Sequence, residues 1–340
     1  MLINKLTDAC GLPGNEKEVR DIIKAELDGY VDSIATDRLG NLTAVKNQDA
    51  AGLHIALCAH MDEVGLCIRA IDKDGYLKFE SWGVDARVLH SKRVLVGKDR
   101  IPGVIGAAPI HLLPPEKRSA PVPVHDLYID IGAVDKADAE KYVSPGDFAA
   151  FDSEYIEFGE SKVKAKALDD RVGCAAIIDV LKSGVKHKVT AIFTAQEEVG
   201  MRGAAAAAYA ISADIVIVVE GTVCADMAGE DERQVTVQGL GPVISLVDRA
   251  SVYQKKYIES VVNVAKAHNI PYQFRKTGAG GTDAARFHAA RGGTPCIGLA
   301  APCRYIHSPV SVIDMRDYEN LVKLVKLYID GEAGRQRSYE

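Results

Sequence analysis

His60 closes the apolar run Leu53-His-Ile-Ala-Leu-Cys-Ala59, and Asp62 follows two residues later. Far downstream come Asp169 in Leu168-Asp-Asp-Arg171, the adjacent pair Glu197 and Glu198, Glu220 at the end of Ile215-Val-Ile-Val-Val-Glu220, and His307 in Tyr305-Ile-His-Ser-Pro309. Dispersed in this way, two imidazoles and three carboxylates resemble a ligand set for a pair of divalent cations. Such a pair, about 3.5 to 4 Å apart, provides a nucleophile better than water and stabilises an oxyanion, the two things that hydrolysis of an amide at neutral pH requires.

The residue types divide the work. Cations that close need an anion between them, and Asp169, at the start of a predicted helix, is the candidate bridge. His60 and His307 would each cap one ion, since neutral imidazole suits zinc or cobalt better than magnesium. Asp62 falls on the same side of an extended segment as His60 and is expected to accept its other ring N–H. Adjacent residues on extended backbone point opposite ways, so Glu197 and Glu198 are expected to do different jobs, one binding metal and the other acting as general base. Glu220 ends a predicted parallel strand, at the edge where α/β sheets place their sites. Each feature alone has a plainer reading: a solvated histidine, a helix N-cap at Asp169-Asp170, a solvated turn at Glu197-Glu198. Their joint occurrence at successive element ends favours a site. His111 and the remaining six histidines show no partner pattern.

The elements that must position these groups are legible from periodicity. Helical patterns near residues 3–10 and 16–30 alternate with strand patterns at Leu39–Val45 and His54–Ala59. From about Leu66 to Val163 short β-type runs such as Arg93–Val96 and Leu127–Ile131 are broken by turn signals at Asp74-Gly75, Pro102-Gly103, Pro114-Pro115 and Pro145-Gly146. The α/β texture then returns: helix Asp169–Lys182, strand Val189–Thr194, a Gly/Ala-rich helix after Gly203, strand Ile215–Val219, helix Tyr257–His268, strand Pro295–Leu299 and helix Asp317–Ile329. The expected architecture is therefore an α/β domain of residues 1–65 plus 164–335, interrupted by a small all-β domain at 66–163. Residues 331–340 read as a loose polar tail.

With 340 residues and mean hydropathy of −0.02 the chain is expected to be globular and soluble. The 41 basic and 47 acidic residues are interspersed, which leaves no electrostatic footprint for nucleic acid. The most apolar stretch, 203–219, is too short and too polar to span a bilayer. The first ten residues read as a helix rather than a leader, and the seven widely spaced cysteines read as reduced core thiols, consistent with a cytoplasmic location.

The segments Ala59-His-Met-Asp-Glu-Val-Gly65, Gly103-Val-Ile-Gly106, Leu168-Asp-Asp-Arg171, Gln196-Glu-Glu-Val-Gly200, Gly280-Gly-Thr-Asp-Ala284 and Tyr305-Ile-His-Ser-Pro309, in this order, resemble the tetrahedral metallo-aminopeptidases. That family includes glutamyl and deblocking aminopeptidases, and some members have carried an endoglucanase label. The resemblance spans essentially the whole chain. It implies a zinc-peptidase-like α/β/α catalytic domain with the β insertion as a dimerisation module. It further implies one metal held by His60, Asp169 and Glu220, and a second held by Asp169, Glu198 and His307. Glu197 would be the general base and Asp62 the support of His60, with a cis peptide between Asp169 and Asp170. Gly280, Gly281 and Thr282 would form a wall of the substrate site. Many relatives have aspartate where this chain has Glu220; the extra methylene still reaches a metal from a slightly withdrawn backbone.

The resulting expectation is a cytoplasmic metal-dependent aminopeptidase acting on short peptides. It would carry two divalent ions per subunit (zinc, cobalt or manganese) and form a homo-oligomer, a tetrahedral dodecamer built from dimers, with no nucleic-acid or membrane partner. Its rivals are an amidohydrolase of N-acyl amino acids or peptides, an endoglucanase, and a scaffold with a vestigial site. The second rival has no use for converging histidines, and aromatics make up only 6% of the chain, leaving little surface for stacking sugars.

Overall fold

The computed structural model describes residues 1–227, 235–275, 278 and 280–331. Four strands, Lys188–Thr194, His54–His60, Ile215–Cys224 and Cys296–Arg304, lie side by side in that order and run parallel at the centre of an 11-stranded sheet. Each is a nearly unbroken apolar run because it is covered on both faces. Alternation sorts the side chains: Ile55, Leu57 and Ala59 face the layer that holds helices Lys17–Leu27, Leu168–Lys182 and Met315–Gly331. Ala56 and Cys58 face helices Arg202–Ala210 and Ala284–Ala289 on the other side. The result is the expected α/β/α sandwich. Antiparallel strands extend it, Leu42–Lys46 and Ser33–Thr36 at one margin and Ser311–Asp314, Lys162–Ala165 and Ile156–Phe158 at the other.

Immediately after Asp62 the chain enters a closed antiparallel barrel of the strands Gly65–Ile71, Leu77–Trp82, Arg93–Val96, Ile101–Gly106, Tyr128–Asp130 and Phe148–Phe151. Closure removes exposed strand edges. The barrel encloses its own core, with Leu66, Phe79, Val94, Ile105 and Ile129 buried together.

Several boundaries differ from the sequence reading, among them the strand read as Pro295–Leu299, which runs from Cys296 to Arg304. Residues 156–163, grouped there with the β module, pair with the larger sheet: Ile156–Phe158 and Lys162–Ala165 form a hairpin, and Val163 lies opposite Ile313. Strand Ile215–Cys224 also runs on past Val219, because Gly221 to Cys224 keep their parallel pairing with Ala301 to Arg304. The catalytic segment's residues 332–335 and the rest of the polar tail lie outside the described residues. No described helix is long and apolar enough to cross a membrane.

Leu57 is completely buried in the innermost parallel strand, whereas Ile156 is 43% exposed on the marginal hairpin. Leu57→Ala should lower unfolding free energy by about 2–5 kcal/mol, the range for cavity formation in a packed core. Ile156→Ala should change it by a small fraction of that, with urea midpoints as the readout.

Candidate metal centre

The parallel register aligns His60 with Thr194 at the C-terminal edge of the sheet, and the loops leaving that edge converge. Asp169 stands between the two histidines: its Oδ1 is 3.4 Å from His60 Nε2 and its Oδ2 is 3.6 Å from His307 Nε2. One carboxylate thus offers a separate oxygen to each imidazole, as a bridge must. His307 Nε2 is also 3.6 Å from Glu198 Oε2, and ligand atoms of His60, Asp169 and Glu198 lie within 4.8 Å of one another. Glu197 and Glu220 line the same cavity, about 450 Å³ in volume, whose walls include Met201, Arg275, Gly280, Gly281 and Ile306. Thr282 is not on that wall. It sits in a smaller recess beside Glu220, its hydroxyl accepting from the Ala284 N–H at 3.2 Å and lying 3.3 Å from the Tyr253 hydroxyl.

The donors suit divalent cations. Glu198 Oε1 and Glu220 Oε1 are buried without a hydrogen-bond partner among the described residues, a costly state for a carboxylate oxygen unless a cation meets it.

Around these ligands the backbone is held in place. His60 Nδ1 lies 3.1 Å from the Asp62 carbonyl and 3.5 Å from the Asp62 carboxylate, so the main-chain oxygen is the nearer acceptor. The Asp62 side chain does something the spacing did not reveal: it accepts the N–H groups of Glu197 at 2.9 Å and Glu198 at 3.0 Å. Those glutamates lie beyond the end of strand Lys188–Thr194. The chain reaches them through Gln196, whose φ is 59°, and Glu197 opens a turn through Glu198, its carbonyl accepting the Gly200 N–H at 2.9 Å. Asp170, joined to Asp169 by a cis peptide, accepts the His60 N–H at 3.1 Å and the Gly173 N–H at 2.9 Å. Left-handed backbone at Ala167, Met201, Tyr305 and His307 also borders the ligands. Such conformations in non-glycine residues gather at functional sites, where surrounding contacts impose them.

Two further groups escaped the sequence reading. Asp283, given no role above, buries its carboxylate against the Thr194 hydroxyl at 2.5 Å and the Cys58 thiol at 3.6 Å. Beneath the centre, Glu63 receives both carboxylate contacts from Lys166 at 2.8 Å and one from Arg171 at 3.1 Å. Arg171 is fully buried and also donates to the Met61 carbonyl at 2.9 Å and to the carbonyls of Leu6 and Ala9. This cluster ties the His60 segment, the Asp169 segment and the N-terminal helix into one piece.

Burial dominates the site's acid–base behaviour. It pushes the Glu197 and Glu220 carboxyls well above the usual range and raises Glu198 to about 7. For Asp169 burial acts the same way, but contacts from His307 and His60 outweigh it and hold the carboxyl below its ordinary range. Contact with Asp169 lifts His307 to about 9. His60 is pushed down by burial, yet Asp169 and Asp62 together carry it well above the usual histidine range.

Comparison with known proteins follows the same lines. Residues 40–324 match the model of the M42 glutamyl aminopeptidase family. A TET aminopeptidase from the marine sediment archaeon Thaumarchaeota archaeon SCGC AB-539-E09 superposes with a TM-score of 0.94 at 33% identity, covering 98% of this chain and 97% of its own. The TET1 peptidase of Pyrococcus horikoshii, described as assembling into a tetrahedron or a large octahedral shell, gives 0.87 at 33% identity, with 97% and 100% coverage. A Thermotoga maritima protein described as an endoglucanase gives 0.82 at 36% identity, with 98% of each chain covered.

Two outcomes follow from these contacts. Glu63→Ala would leave Lys166 and Arg171 buried without their carboxylate, and should cost about 3–5 kcal/mol in chemical denaturation. In protein stripped of metal, protonated His307 stabilises the fold fully below about 6.5, and this contribution is lost as pH rises to about 9. Glu198 acts in the same sense across the lower window, from 4.5 to about 7, because its folded carboxyl holds its proton longer. Scanning calorimetry of chelated protein should therefore show Tm falling from pH 7 to pH 9, and a level or rising Tm would contradict the assignment.

Proposed function

This chain belongs to the M42 glutamyl aminopeptidase family and is a metal-dependent aminopeptidase, and from that premise we propose that it uses two divalent ions to remove residues from the N-terminus of short peptides. The observation that carries the proposal is Asp169, with one oxygen turned to His60 and the other to His307. One ion would be held by His60, Asp169 and Glu220, the other by Asp169, Glu198 and His307, with zinc, cobalt or manganese matching the donors. When bound, the ions would acidify water and neutralise charge developing on the substrate carbonyl oxygen.

The chain's own groups do the rest. Glu197 takes a proton from the attacking water onto its carboxylate and later delivers it to the departing amine. The Asp62 carboxylate fixes the Glu197 N–H at 2.9 Å, so the base keeps its place through both transfers. Burial that raises the Glu197 carboxyl suits a group that must hold a proton between two steps. Gly280 and Gly281 let a peptide approach the wall closely because they lack Cβ.

A surplus of carboxylates around the cavity also favours the ammonium of a free N-terminus, which an N-acylated substrate lacks. This supports the aminopeptidase over the amidohydrolase reading. No Phe, Tyr or Trp side chain lines the cavity among the described residues, which leaves little on which a sugar could stack. The free state of all seven cysteines supports a cytoplasmic location. Ile110 and Leu112, 62% and 72% exposed on the barrel module, belong to the surface we assign to dimer contacts within a tetrahedral dodecamer.

Glu197→Gln should lower kcat on aminoacyl-nitroanilides by at least about 100-fold, as expected for loss of a general base, while metal content stays at the wild-type level. Unchanged turnover would refute the base. Offered a panel of free and N-acetylated substrates, the wild-type enzyme should cleave only the free ones, and preference for the acetylated set would select the amidohydrolase.

A further inference from the structure

We propose that the barrel is a working part of the metal centre: the backbone carbonyl of Gly83 selects the His307 tautomer that binds metal, so the ion shared by Glu198 and His307 is held tightly only while the barrel is docked. This rests on the two-ion reading above.

His60 and His307 are oriented by different parts of the molecule. His60 is 3% exposed at the end of a central strand, and its Nδ1 is met by Asp62 two residues away. His307 has a side chain 46% exposed on the loop after strand Cys296–Arg304. Its Nδ1 lies 3.0 Å from the carbonyl of Gly83, which directly follows barrel strand Leu77–Trp82. Among the described residues no other acceptor reaches that nitrogen. A carbonyl can only accept, so it keeps a proton on Nδ1, and once the imidazole is neutral, as a metal ligand must be, the Nε2 lone pair is aimed between Asp169 and Glu198, each 3.6 Å away.

Position 83 is shaped for this contact. Its φ is +72°, and an added Cβ would lie 2.5 Å from Val64 Cγ1 and 3.4 Å from Glu198 Oε2. Any larger residue would therefore shift the carbonyl relative to His307 or press on the second ligand itself. Val64 immediately precedes the first barrel strand, so the chain enters the barrel and touches back from it at the same spot beside the ligands.

Stepwise Co²⁺ titration of metal-free protein, followed by visible absorption and calorimetry, tests the coupling. In Gly83→Ala one of the two binding steps should weaken by about 10- to 100-fold, the usual effect of losing a group that orients a ligand, while the other is unchanged. Adding Val64→Ala, which removes the clashing methyls, should restore much of the loss. Gly132→Ala is the control: this barrel glycine has φ +78° with nothing within 4 Å of an added Cβ, so it carries the same backbone strain and should bind both ions normally. Equal weakening in the control, or two wild-type binding steps in Gly83→Ala, would overturn the proposal alone. A single Co²⁺ per wild-type subunit would overturn both it and the two-ion reading.

Discussion

An excess of buried negative charge at one edge of the sheet governs the rest of the structure. Asp62, Asp170 and Asp283 are at most 1% exposed, and Asp169, Glu197, Glu198 and Glu220 crowd into one cavity that also holds two imidazoles and the Arg275 side chain. Carboxylates so placed are tolerable only if something answers each one. Backbone N–H groups answer Asp62 and Asp170, the histidines answer Asp169, and a hydroxyl and a thiol answer one oxygen of Asp283. Among the described residues Glu198 Oε1, Glu220 Oε1 and Asp283 Oδ1 are left over, and the two glutamate oxygens, on the cavity wall, are where the proposed cations would complete the balance. The Glu63 cluster is the contrasting case, a buried carboxylate whose cations come from the chain itself in Lys166 and Arg171. One cluster is closed and structural, the other open and reactive, and Met61 and Asp62 join them within three residues of chain.

The two modules divide mechanical duties accordingly. The α/β/α sandwich fixes His60 and Asp169 through a central strand and a fully packed helix. The exposed His307 loop gains its second anchor from Gly83 across the module boundary. If the barrel also carries subunit contacts, as proposed, assembly and the more weakly anchored side of the centre are mechanically linked.

Much of this was legible in the chain. Apolar runs ending in a histidine or carboxylate announced the parallel strands and their functional edge, because burial on both faces leaves a continuous hydrophobic signature. Helices such as Met315–Gly331 showed their 3.6-residue period. The illegible parts depend on partners distant in sequence. Nothing near Glu63 signals that Lys166, 103 residues on, will neutralise it, nor near Asp62 that its carboxylate will pin a turn 135 residues away. Local rules also gave no sign of the turn at Glu198, since the left-handed Gln196 that leads into it is a residue with no bias toward that conformation. The end of the β module was overrun for a related reason: residues 156–163 have β character in either location, and only their pairing with Ser311–Asp314 assigns them to the larger sheet.

Anomalous scattering from crystals grown with Zn²⁺ or Co²⁺ tests the bridging role of Asp169 most directly. Two peaks about 3.5 to 4 Å apart, the spacing of a co-catalytic pair, should flank the Asp169 carboxylate, one beside His60 and Glu220 and the other beside His307 and Glu198. A single peak, or peaks that leave Asp169 uncoordinated, would contradict the account.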